Sequence, residues 1–158
     1  MNDELCHYGI KGMKWGVRRA KQRGDSASLK RHFGKTAGKL DELESKAARQ
    51  ALTADDQRIA SETATTPSDR SKNQKSSAKN MRKALRGYSK SVKFAAAAVN
   101  AFWDAPVDTI TEDNKQEIAD HLNRSAFMQK RLTEELNMHQ IMSEMSDVPR
   151  TTYHVAHA

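Results

Sequence analysis

The chain has 158 residues, the length of one domain, yet 37% of it is hydrophobic and 30% is charged. Aromatics are 6% and alanine supplies much of the hydrophobic share, so the side chains that bury most area are scarce and a large globular core is excluded. A single cysteine, Cys6, rules out an internal disulfide framework and leaves no Cys-x-x-Cys pair for zinc.

The net charge of +7 is unevenly spread: residues 1–39 carry +7, residues 40–66 carry −3, residues 67–103 carry +8 and residues 104–158 carry −5. Alternating basic and acidic blocks suit contact with nucleic acid or another polyanion, and equally suit self-complementary assembly. A solvated polar surface is the plain alternative. So thin a core implies long helices that pack sparsely, or ordering against partners. No apolar signal core follows Met1, and the longest apolar run, "FAAAAVNAFW" at 94–103, is about half the ~20 residues a membrane helix needs. The expected location is therefore the cytosol or the inside of a particle, with membrane contact left open.

Residues 1–24 are expected to be an extended docking segment, because Gly9, Gly12, Gly16 and Gly24 each weaken a helix by about 1 kcal/mol relative to alanine. Within it "HYGIKGMKWGVRR", residues 7–19, sets Ile10, Met13, Trp15 and Val17 between glycines, an arrangement that suits a peptide pressed into a groove. Lys11, Lys14, Arg18 and Arg19 flank those anchors. Packing of Met13 and Trp15 against the chain's own helices is the competing reading.

Residues 25–62 read as short helices. Leu40, Leu43, Ala47 and Ala51 share a face, with Thr36 as N-cap. Thr53 followed by Asp56 resembles a capping box, which starts another short helix at Ala54. Residues 63–77 read as a polar linker without apolar periodicity.

Residues 78–146 read as a long helical hairpin. Met81, Leu85, Tyr88, Val92, Ala95, Val99 and Phe102 recur at alternating spacings of four and three, the seam of a left-handed helix packing that needs a partner. Lys72, Lys75, Lys79, Arg82, Lys83, Arg86, Lys90 and Lys93 project, at ~100° per residue, onto the half opposite or flanking that seam. Pro106 breaks the helix, and Thr111 before Glu112 and Asp113 caps the next one. That last helix has two apolar stripes. Ile118, Leu122, Met128, Leu132 and Leu136 form one, and Phe127, Met138, Ile141 and Met145 the other. One hairpin partner cannot cover both, so the second stripe calls for either the helix around 36–52 or another subunit. Residues 147–158 read as a tail. The expected fold class is mainly α, an elongated antiparallel hairpin of long helices, coiled-coil-like, preceded by shorter helices and the extended Gly-rich segment.

Chemistry for catalysis is hard to find. The glycines at 9, 12 and 16 match no phosphate-cradling spacing, and Cys6, His7, His121, His139, His154 and His157 lack the ligand number of a metal site. No nucleophile is set beside a base, so neither an enzyme nor a cofactor is expected.

"HYGIKGMKWGVRR" resembles the H-x-G-[IV]-K-G-M-K-W-G-V-R-R segment found in proteins of tailed bacteriophages and prophages, commonly among head and virion-associated structural proteins. The resemblance covers 13 residues and rests on His7, Gly9, Gly12, Met13, Trp15, Gly16, Arg18 and Arg19, with Ile10 among the docking anchors. It implies a portable docking or packaging element, and with it a multimeric virion protein whose partners are other head, portal or neck proteins; the cationic segments add the expectation of non-specific DNA contact. An internal ejection protein suits the thin core and the run at 94–103. A free cytoplasmic nucleic-acid-binding or regulatory protein is the alternative class, and a scaffolding protein a third.

Overall fold

The computed structural model describes residues 26–146, which fold into three helices: α1, Ser26–Glu62; α2, Pro67–Phe102; and α3, Glu112–Ser146. The protein is mainly helical, and no strand occurs among the described residues. The expected docking segment at 1–24 and the tail at 147–158 lie outside them.

Where the sequence suggested short helices over 25–62, α1 is one uninterrupted helix of 37 residues. Both threonines read as caps turn inward instead. Thr36 Oγ1 donates to the His32 carbonyl at 2.8 Å and Thr53 Oγ1 to the Arg49 carbonyl at 2.9 Å, the back-bonding by which a threonine is accommodated inside a helix. The linker at 63–77 shortens in the same way, since α2 starts at Pro67. Thr66 caps it: its hydroxyl oxygen accepts from the Asp69 N–H at 3.1 Å while its O–H donates to Asp69 Oδ2 at 2.7 Å. Proline at the first helical position and an acid in the first turn complete the start. Thr111 caps α3 as expected, accepting from the Asn114 N–H at 3.3 Å.

The far end of α2 is closed by a side chain from the next helix. Lys115 is 5% exposed, and its ammonium donates to the Trp103 carbonyl at 3.1 Å and to Glu112 Oε1 at 3.2 Å. A cation on a terminal carbonyl satisfies an acceptor that the helix leaves open and opposes the negative end of the dipole.

Two apolar clusters hold the helices together. The first joins Leu29, Ala37 and Leu40 of α1, Ala95, Ala98 and Phe102 of α2, and Ile110 and Ile118 around the start of α3. The second joins Ala47 and Ala54 of α1, Met81, Ala84 and Tyr88 of α2, and Leu132 of α3. The early part of α1 thus meets the late part of α2 and the early part of α3, so successive helices run in opposite directions with α2 between its two neighbours. Phe33 packs edge-on to Phe102, ring centroids 5.9 Å apart, which adds to the first cluster. In the second the backbones come close: a Cβ at Gly87 would lie 2.8 Å from the Ala47 Cβ, so only hydrogen fits there at this spacing.

Candidate functional site

The seam expected on α2 is buried, and the chain's own α1 and α3 cover it. Met81, Tyr88, Ala95 and Phe102 are buried, while Leu85, Val92 and Val99 are half-buried at its edge. Ser77, Ala84, Ser91 and Ala98 fill the other inward positions. A helix that touches two neighbours needs a wider apolar arc than one seam, and small residues widen it without separating the axes.

Opposite that arc lies the cationic set. Lys72, Lys75, Lys79, Arg82, Lys83, Arg86, Lys90 and Lys93 are all exposed. At ~100° per residue they fall within an arc of about 100° whose centre faces directly away from the buried line. From Lys72 to Lys93 they extend about 32 Å at ~1.5 Å per residue, close to one ~34 Å turn of duplex DNA. Asp69 is the one carboxylate on α2, and it lies at the first turn, below the ridge. Among the described residues none of the eight has an ion pair or a side-chain hydrogen bond, as is true also of Lys30, Arg31, Lys35, Lys46, Arg49 and Arg70, whereas Lys39, Arg58, Lys115, Arg124, Lys130 and Arg131 are paired. A straight row of unneutralised cations on a rigid helix attracts phosphates without selecting bases.

The opposite side of the molecule carries a groove of about 250 Å³ between α1 and α3. Met81 and Tyr88 of α2 form its floor, Ala48, Ala51, Leu52 and Asp55 one wall, and Met128, Arg131, Leu132 and Glu135 the other. Desolvation on this floor pushes the Tyr88 phenol up from its ordinary value, and the Glu44 carboxylate adds to the shift. Of the second apolar stripe, Phe127, Met138 and Ile141 stay exposed, with Phe127 at 65%. Neither α1 nor α2 covers them, and the Met145 side chain lies beyond those described.

Between the groove and the first cluster, six side chains from all three helices form a polar clasp that sequence reasoning missed. His121, 2% exposed, has Nδ1 2.9 Å from Glu44 Oε2 and Nε2 3.5 Å from Asp41 Oδ1. Arg124 approaches the same Glu44 oxygen at 3.4 Å. Arg124 Nη2 also lies 3.0 Å from His121 Nδ1, so that ring nitrogen faces both a guanidinium and the Glu44 carboxylate. Ser125 Oγ donates to Glu44 Oε1 at 2.7 Å and lies 2.9 Å from Ser91 Oγ, whose hydroxyl completes the chain. Ser125 thus bonds the carboxylate and not the imidazole, which is no nucleophile and base arrangement. What the clasp does is fix axial position: a shift of any helix by one ~5.4 Å turn strands a half-buried carboxylate and two buried hydroxyls. Glu44 and His121 are 77 residues apart, and nothing in the sequence pattern pairs them.

The docking residues His7, Gly9, Ile10, Gly12, Met13, Trp15, Gly16, Arg18 and Arg19 lie outside the described residues. Among the described residues, no group of three His, Cys, Asp or Glu side chains could hold a metal ion, and no helix is long and apolar enough to cross a membrane.

In comparisons with known proteins, the model of a family described as a family of unknown function, DUF7211, matches residues 1–22. That match takes in the whole of "HYGIKGMKWGVRR" and stops before α1. No curated protein and no solved structure matches the chain significantly.

Proposed function

We propose that this chain is a non-enzymatic, multimeric structural protein of a tailed-bacteriophage particle, positioned inside the head or at the portal and neck. Residues 7–19 dock it onto other virion proteins, α2 and α3 pair as a coiled-coil-like hairpin, and the ridge of α2 lies along packaged DNA. The observation that carries this reading is the ridge itself: eight exposed cations over about 32 Å, none neutralised within the described chain. Holding so many like charges on one helix works against folding unless a polyanion offsets them. A segment matched apart from the rest of the chain, at 1–22, supports a portable anchor joined to a body of different origin.

A mass-spectrometric inventory of purified particles against infected-cell lysate tests the reading. Stoichiometric presence in mature particles is the expected result. Presence in proheads with loss on maturation makes the chain a scaffolding protein, and absence from both leaves a free nucleic-acid-binding protein that uses the same ridge.

A further inference from the structure

The groove between α1 and α3 is open to solvent, and its lip carries Leu52 at 64% exposure. Its volume, about 250 Å³, is below the ~300–1,000 Å³ typical of small-molecule pockets and is of a size for one or two large side chains. Both walls come from acidic blocks of the chain, residues 40–66 at −3 and residues 104–158 at −5; at the rim Asp55 pairs with Arg58 at 3.7 Å and Glu135 with Arg131 at 2.9 Å, so the excess negative charge lies in the blocks and not in the rim pairs. An occupant of apolar anchors flanked by cations satisfies both features. Residues 7–19 have that composition: Ile10, Met13, Trp15 and Val17 with Lys11, Lys14, Arg18 and Arg19, and no carboxylate.

Distance and charge decide which copy supplies it. Trp15 is eleven residues before Ser26, a reach of at most ~36–40 Å, while Ala51 in the groove wall is about 38 Å along α1 from Ser26 at ~1.5 Å per residue. A segment returning to its own groove must therefore run taut along the first part of α1. The first half of that path, residues 26–39, carries Lys30, Arg31 and Lys35, with Lys39 paired to Glu42, and no carboxylate, so it repels the segment over that half. A segment from another molecule meets neither restriction. We infer that the groove of one copy receives residues 7–19 of a second copy of this chain, a head-to-tail contact in which each molecule offers one anchor and one groove. Such a contact is heterologous, so copies add in series until the geometry closes a ring.

The inference rests on the docking role proposed above, and the test separates the two. Full-length chains are made in two forms. Met13→Ala with Trp15→Ala removes the anchors. Leu52→Arg with Asp55→Arg charges the groove wall at two positions outside the core, and circular dichroism checks that helix content is kept. In sedimentation the parent chain should form a series of oligomers that grows with concentration, and each variant alone should remain a monomer. Mixed in equal amounts, the two variants should form a dimer and nothing larger, since one intact anchor meets one intact groove. A parent that stays monomeric overturns the inference, as does a variant that still assembles or a mixture that does not. If residues 1–24 nevertheless carry a fused protein into particles, docking stands and its receptor is another virion protein.

Discussion

The two ends of the helix bundle are built from different materials. At the end that holds Phe102, large side chains (Leu29, Leu40, Ile110, Ile118 and the Phe33 ring) close around one another. At the other, alanines and Gly87 bring α1 against α2, and α1 and α3 part to leave the groove. The same three helices thus enclose a core at one end and open a surface at the other, and the boundary falls at the Glu44, His121 and Ser125 clasp. Large residues occur at both ends, but Met81, Tyr88 and Leu132 at the second line the groove, whereas Phe102, Ile110 and Ile118 at the first are enclosed.

The contrast can be broken most readily at Phe102. Replacing a fully buried aromatic by alanine costs about 3–5 kcal/mol where the surroundings cannot collapse, a large part of the ~5–15 kcal/mol that holds most domains folded. Met81→Ala, beside a groove already open to water, should cost less, about 2 kcal/mol. Denaturant titrations of the two variants compare them. Equal losses would mean that the ends are equally packed.

Next in size is the clasp. Glu44→Ala removes the carboxylate that His121, Arg124 and Ser125 share and should cost about 2–4 kcal/mol. Glu44→Gln, which keeps an acceptor for the Ser125 hydroxyl, should recover part of it. If both substitutions are neutral by thermal denaturation, the clasp does not set the position of α3.

The smallest effects come from glycines, and they differ in sign. Nothing lies within 4 Å of a Cβ at Gly34 or Gly38, so alanine at either should stabilise the exposed face of α1 by about 0.5–1 kcal/mol. At Gly87 the same change drives a methyl to 2.8 Å from Ala47 Cβ, and moving two helices apart should outweigh the propensity gain by about 1–2 kcal/mol. Melting temperatures that rise for all three variants would show that the close approach of α1 and α2 is not needed.

How much of this was legible depends on the range of the interaction. The ridge is a local periodicity of one residue class, so spacing alone placed its eight members on one side of α2. The Thr111 cap was legible for the same reason. The Thr66 start of α2 was also written in the sequence, as Thr-Pro-Ser-Asp at 66–69, but a polar stretch with no apolar period hid it. The continuity of α1 was obscured because threonine serves both as a cap and as an inward-bonded helix residue, and composition does not separate the two. The clasp was out of reach altogether, because its bonds span 34 to 81 residues and follow only from which faces of three helices meet.

The central claim is that the ridge of α2 neutralises DNA phosphates, and the salt dependence of binding tests it most directly. For the full chain on a duplex of arbitrary sequence, log K should fall linearly with log salt at a slope of about −0.9 per phosphate contacted. Changing Lys79, Lys83, Arg86 and Lys90 to glutamine should leave helix content intact and make the slope shallower by about 3–4. Binding insensitive to salt, or a slope that the four substitutions leave unchanged, would contradict the account.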